Sequence, residues 1–191
     1  MKLILASASP RRRELLRRAG FDFDVRPASV EEVRGTDETA EGFSRRVACE
    51  KALKIAESAP AGSVVIGADT VVVVNDEILG KPAGPEDAAR MLRLLSGITH
   101  RVVTAVSIVR APHHSEALEL ETTLVTFRKL DEQEIQEYIS SGEAFDKAGA
   151  YGIQGLASKF VRRIEGDYSN VVGLPVPLVC ELLKPLLMSA K

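Results

Sequence analysis

Two rhythms alternate along the chain: short β-branched or strictly alternating apolar runs, and longer stretches whose apolar positions recur every third or fourth residue. Lys2–Ala6 reads as a strand. Pro10–Ala19 reads as a helix with Leu15, Leu16 and Ala19 inward and Gly20 as its stop. Phe21–Arg26 returns as a strand, and Pro27–Asp37 is a polar, acidic connection. Glu38–Ser58 is a long helix with Phe43, Val47, Lys51 and Ile55 on one stripe. Val64–Val74 is apolar and β-branched, read as a central strand, and Asn75-Asp76 turns the chain. Pro85–Leu95 is a helix opened by Gly84-Pro85 and closed near Gly97. Thr99–Arg110 and Ser115–Arg128 are long strands around Pro112-His113-His114. Asp131–Ser140 is a helix, Phe145–Leu156 is rich in glycine, Lys159–Ile164 is a strand and Pro175–Leu187 a closing helix. Strands and helices in this order predict an α/β fold with a mixed, twisted sheet flanked by helices, in two lobes around a cleft. No repeat or linker divides residues 1–191, which read as a single domain.

Three places break the pattern, and chemistry enters there. Lys51 lies on the apolar stripe between Val47 and Ile55, where a lysine either snorkels or meets an anion. Asp69 interrupts the run Val64–Val74, and a carboxylate there is costly unless paired, hydrated or metal-bound. Gly67 just before it lets another backbone or a ligand approach closely. The third break is Arg11-Arg12-Arg13, directly after a Ser9 N-cap and Pro10. Cations oppose the positive end of the helix dipole, each at a cost of about 0.3–1 kcal/mol. The arginines are either solvated or part of an anion seat made with Ser7, Ser9 and free backbone N–H groups.

Other residues carry weaker signals. Glu31 and Glu32 are ordinary loop acids, or partners of Asp69 in holding a hard cation. Lys81, before Pro82, is a turn lysine or a projecting ammonium. Gly149, Gly152 and Gly155 imply backbone close to a ligand or to another segment, and Gln154 among them carries an amide able to read a base edge. No Walker A loop occurs. His100, His113 and His114 join no serine or cysteine set for nucleophilic catalysis.

Composition narrows the field. A net charge of −2 over 191 residues gives no global field toward nucleic acid or anionic membrane. Hydrophobic residues make up 45%, enough for a real core, yet no run reaches the roughly 18–20 residues of a membrane span. Cys49 and Cys180 have no metal-ligand spacing, so a zinc site is not expected and a reducing cytoplasm fits. Cations, carboxylates, glycines and an amide suit metal-assisted attack of water on a phosphoanhydride.

Taken in order, Ser7-Ala8-Ser9-Pro10-Arg11-Arg12, Glu50-Lys51-Ala52, Gly67-Ala68-Asp69-Thr70, Gly80-Lys81-Pro82, Leu95-Ser96-Gly97, Asp146–Gly155 and Val172-Gly173-Leu174-Pro175 resemble the Maf family of nucleotide pyrophosphatases. The resemblance covers nearly the whole chain. It implies a fold similar to the inosine-triphosphate pyrophosphatases, hydrolysis of nucleoside triphosphates to monophosphate and pyrophosphate, and a divalent cation, magnesium or manganese. It implies Asp69 as the base, Glu32 with Asp69 at the metal or water, and Lys51 and Lys81 as added charge. Ser7, Ser9, Arg11 and Arg12 would grip the triphosphate, leaving Arg13 to solvent. Arg12, Thr70 and Gln154 resemble the branch acting on dTTP and UTP. A 7-methyl-GTP enzyme and a non-catalytic regulator of cell division are the alternatives. The family also implies a homodimer. Nucleic-acid binding through the arginines lacks an aromatic platform.

Overall fold

The computed structural model describes residues 2–188. The described chain divides into two compact units, the first made of residues 2–69, 104–121 and 173–188, the second of residues 70–103 and 122–172. The strands are β1 (Leu3–Leu5), β2 (Asp24–Val25), β3 (Val64–Val74), β4 (Glu77–Leu79), β5 (Thr99–Arg110), β6 (His114–Phe127) and β7 (Val161–Glu165). The helices are α1 (Pro10–Arg18), α2 (Ala40–Ala56), α3 (Pro85–Leu95), α4 (Glu132–Ser140), α5 (Tyr168–Val172) and α6 (Val176–Met188). One mixed sheet of seven strands has the order β2-β1-β3-β5-β6-β7, with β4 paired to β3. The α/β class and the mixed sheet expected from the sequence are therefore present.

In the first unit, β1 lies parallel to both β2 and β3, with Leu5 opposite Val25 on one side and Ile66 on the other. Side chains alternate across a strand, so β1 feeds two cores. Leu3 and Leu5 pack with Leu16 of α1 and with Val179 and Leu183 of α6. Ile4 and Ala6 pack with Ala52, Ile55 and Ala56 of α2. Leu16 is fully buried and alone stabilises the unit by about 1.5–3 kcal/mol. Helix α1 is started by Ser9, whose side chain accepts the Arg12 N–H, and by Pro10 at its first turn. Gly20, at φ +84°, ends it.

In the second unit, Val72, Leu79, Leu92, Leu95, Val102, Phe127, Tyr138 and Phe160 form the core, with α3 against α4. Helix α4 is set by a capping box between Asp131 and Glu134. The Asn75-Asp76 turn has both residues at positive φ (47° and 63°), the hairpin geometry that pairs Val74 with Glu77.

Some boundaries differ from expectation. Strand β2 keeps two residues of the expected six, and Phe21 and Phe23 before it pack, partly buried, against the core. Residues 156–160 form a 3₁₀ turn, so β7 starts at Val161 rather than Lys159. The short β4 and α5 carry too few residues to show a period. Helix α5 follows Asp167, whose carboxylate accepts the Ser169 N–H at 2.7 Å.

Candidate active site

The parallel register of β1 and β3 brings two chain segments side by side. Leu5 faces Ile66, and the Ala6 N–H donates to the Ile66 carbonyl at 2.8 Å. Ser7 thus lies just past the C-terminal end of β1, and Asp69 lies within β3, just past the part of it that pairs with β1. Both are buried.

Helix α2 is seated directly on this end of β3. A Cβ on Gly67 would lie 2.1 Å from the Ala48 carbonyl oxygen and 2.9 Å from the Ala52 nitrogen. Only a glycine allows that approach, and it carries Lys51 down to Asp69. Of the two readings of Gly67, the close backbone rather than a ligand is realised. The Lys51 ammonium donates to Asp69 Oδ1 at 2.8 Å and lies 2.7 Å from Glu32 Oε1. Lys51 is thus an inward lysine meeting an anion, not a snorkelling one. Its side chain is 9% exposed and that of Asp69 is 8%, while Glu32 opens to solvent at 43%.

Arg12 ties the other wall. Its Nε donates to the Gly173 carbonyl at 2.7 Å, and its Nη1 donates to the Ala68 carbonyl at 2.9 Å and to Ser7 Oγ at 3.4 Å. Ser7 Oγ also accepts the Ser9 N–H at 3.2 Å. Burial lowers the Arg12 pKa, while the negative charges of Asp69 and Glu32 oppose that shift. Arg11 is half-buried beside it and Arg13 is exposed. The Gly173 carbonyl was invisible to side-chain reasoning, although Val172–Pro175 stood among the matching motifs.

Ser7, Ser9, Arg12, Glu32, Lys51 and Asp69 are thus gathered in the first unit. Thr70, Lys81 and Gln154 belong to the second unit, where Lys81 and Gln154 are both exposed. There the Gly149 N–H donates to the Gly80 carbonyl at 3.0 Å, so the Lys81 turn and the glycine-rich loop are joined by backbone. The three glycines face protein: a Cβ would meet Val72 at Gly149, Lys147 at Gly152 and Glu143 at Gly155. His100 is buried, with Nε2 2.8 Å from the Tyr151 hydroxyl and its ring edge-on to Phe127. Burial holds its pKa down at about 4, which keeps it neutral and structural.

No cluster of three or more His, Cys, Asp or Glu side chains suited to a metal occurs among the described residues. Asp69 and Glu32 nevertheless offer a pair of hard carboxylate oxygens, one from each already held by Lys51. Such a pair fits a hard divalent cation, which takes oxygen ligands and can keep water and substrate phosphates as the rest.

The family model for Maf-like protein matches residues 2–186. The chain belongs to this family. A dTTP/UTP pyrophosphatase of Koribacter versatilis (strain Ellin345) is 50% identical over 184 residues, covering 96% of this chain and 94% of that one. A dTTP/UTP pyrophosphatase of Vibrio parahaemolyticus serotype O3:K6 (strain RIMD 2210633) is 48% identical over 188 residues, covering 98% of each. Among solved structures, the nucleoside-triphosphatase (dITP/XTP pyrophosphatase) of Mycobacterium abscessus is similar over 68% of this Maf-like chain and 76% of its own, with TM-score 0.41 and 17% identity.

Proposed function

We propose that this Maf-like protein hydrolyses dTTP and UTP to the monophosphate and pyrophosphate. The observation that carries this reading is the Glu32–Lys51–Asp69 chain, with Lys51 and Asp69 buried, beside the Ser7–Arg12 segment. Full-length relatives that share about half of its residues and bear that name support it.

In this reading a triphosphate tail lies along Ser7, Ser9, Arg11 and Arg12, with Lys81 adding charge. Asp69 accepts a proton from the attacking water as the bridge between the α- and β-phosphoryl groups opens. Pyrophosphate leaves with its charge met by the cations. Lys51 holds the Asp69 and Glu32 carboxylates together and aimed, at 2.8 and 2.7 Å from one ammonium. A divalent cation held by Asp69 and Glu32 would supply charge neutralisation on the phosphates. Thr70 and Gln154 offer a hydroxyl and an amide for the O4/N3 edge of a pyrimidine. The working form is a cytoplasmic homodimer with no nucleic-acid partner.

A nucleotide panel with magnesium or manganese tests this, read by pyrophosphate release. dTTP and UTP should turn over best, and a chelator should stop the reaction. No release from either nucleotide would refute the activity; a preference for 7-methyl-GTP would refute only the branch.

A further inference from the structure

Glu32 sits in a connection with almost no regular structure, between β2 and α2. Its neighbour Val33 is 64% exposed and gives the chain no apolar anchor of its own. Loops of this kind move unless polar contacts hold them. The contact that does so comes from Arg46, on α2 five residues before Lys51. Its Nε and Nη2 donate to the two carboxylate oxygens of Glu38 at 2.8 and 2.9 Å, a bidentate fork. The same Nη2 donates to the Val33 carbonyl at 2.9 Å, and Nη1 donates to Glu50 at 3.1 Å. Glu38 closes the ring by accepting the Gly35 N–H at 3.1 Å. The Phe43 ring lies under the guanidinium, 5.4 Å away.

We propose that Arg46 is a positioning residue: through the Val33 carbonyl and Glu38 it fixes Glu32 against Lys51. The inference rests on the role given above to Glu32. One helix then carries both the cation that Glu32 meets and the fork that delivers Glu32 to it. A lysine at 46 would keep the charge and lose the fork, because an ammonium cannot reach two carboxylate oxygens and a carbonyl in one plane.

The test uses Arg46→Lys, Glu32→Gln, the double variant, and Arg45→Lys as an exposed control on the same helix. Arg46→Lys should lower kcat about 10–100-fold, the usual cost of losing a supporting partner. The nucleotide KM and melting temperature should change little, and amide exchange at Gly35 should speed up. The double variant should be no slower than Glu32→Gln alone, and Arg45→Lys should behave as wild type. If Arg46→Lys keeps full kcat while Glu32→Gln is impaired, the inference is overturned and the role of Glu32 stands. Additive losses in the double variant overturn it as well. Full activity in Glu32→Gln refutes the role of Glu32, and this inference with it.

Discussion

Lys51 and Asp69 are a buried ion pair, and what each contributes can be separated by substitution. Both side chains are less than a tenth exposed. Removing one partner of such a pair leaves a buried charge uncompensated, a loss of about 3–5 kcal/mol. Lys51→Ala should therefore unfold at clearly lower urea, because the buried Asp69 loses its ammonium partner. Glu32 cannot soften the effect, because a second carboxylate offers Asp69 no countercharge. Asp69→Asn is the opposite case. Its amide oxygen still accepts from Lys51, so the fold should survive, while the proton acceptor is gone. Turnover should then fall about 10²–10⁴-fold. Urea melts and pyrophosphate assays on the two variants should rank them in opposite orders; an Asp69→Asn enzyme with full turnover would refute the base assignment.

At the scale of elements, the contact between α2 and β3 controls the site. It is made where Gly67 meets Ala48 and Ala52 with no room for a methyl group. Gly67→Ala must push the α2 backbone away, since the nearest atom is a carbonyl oxygen that cannot rotate aside. Overpacking of this kind costs about 1–3 kcal/mol. Activity should drop with stability, because the displaced helix carries Lys51 away from Asp69; thermal melts and turnover of the purified variant would check both. A Gly67→Ala enzyme as stable and active as wild type would show that α2 can shift freely. This joint was half legible in the sequence. The glycine announced a close approach, and the stripe Phe43, Val47, Lys51, Ile55 pointed its lysine inward, because burial leaves a period of 3.6. Strand β3 and helix α3 were legible to their ends for the same reason, with Gly84-Pro85 and Asn75-Asp76 as punctuation. The Arg46 fork and the carbonyl partners of Arg12 were not. Hydrogen bonds between segments 13 or 161 residues apart obey no period, and carbonyl acceptors are the same at every residue.

For the whole molecule, acid should act in two steps whose origins differ. His100 is buried and neutral, with its pKa held at about 4 against an ordinary 6.5. Between those values the unfolded chain takes up a proton that the folded chain refuses. Stability therefore falls as pH drops through that window, by about 3 kcal/mol in all. The second step comes lower. Glu38, Glu132 and Glu134 are held down at about 2, against an ordinary 4.5, chiefly by hydrogen bonds from Arg46, Arg93 and Arg128 respectively. Their contribution is present above 4.5 and is lost as pH falls toward 2. These three pairs face water, so salt should weaken them, whereas the buried His100 step should hardly respond. His100→Phe should remove the upper step and leave the lower one, at the cost of a pH-independent loss from the unpaired Tyr151 hydroxyl. Urea midpoints from pH 7 to pH 3, at low and high salt, would resolve both. An undiminished fall between pH 6.5 and 4 in His100→Phe would assign the upper step to other groups.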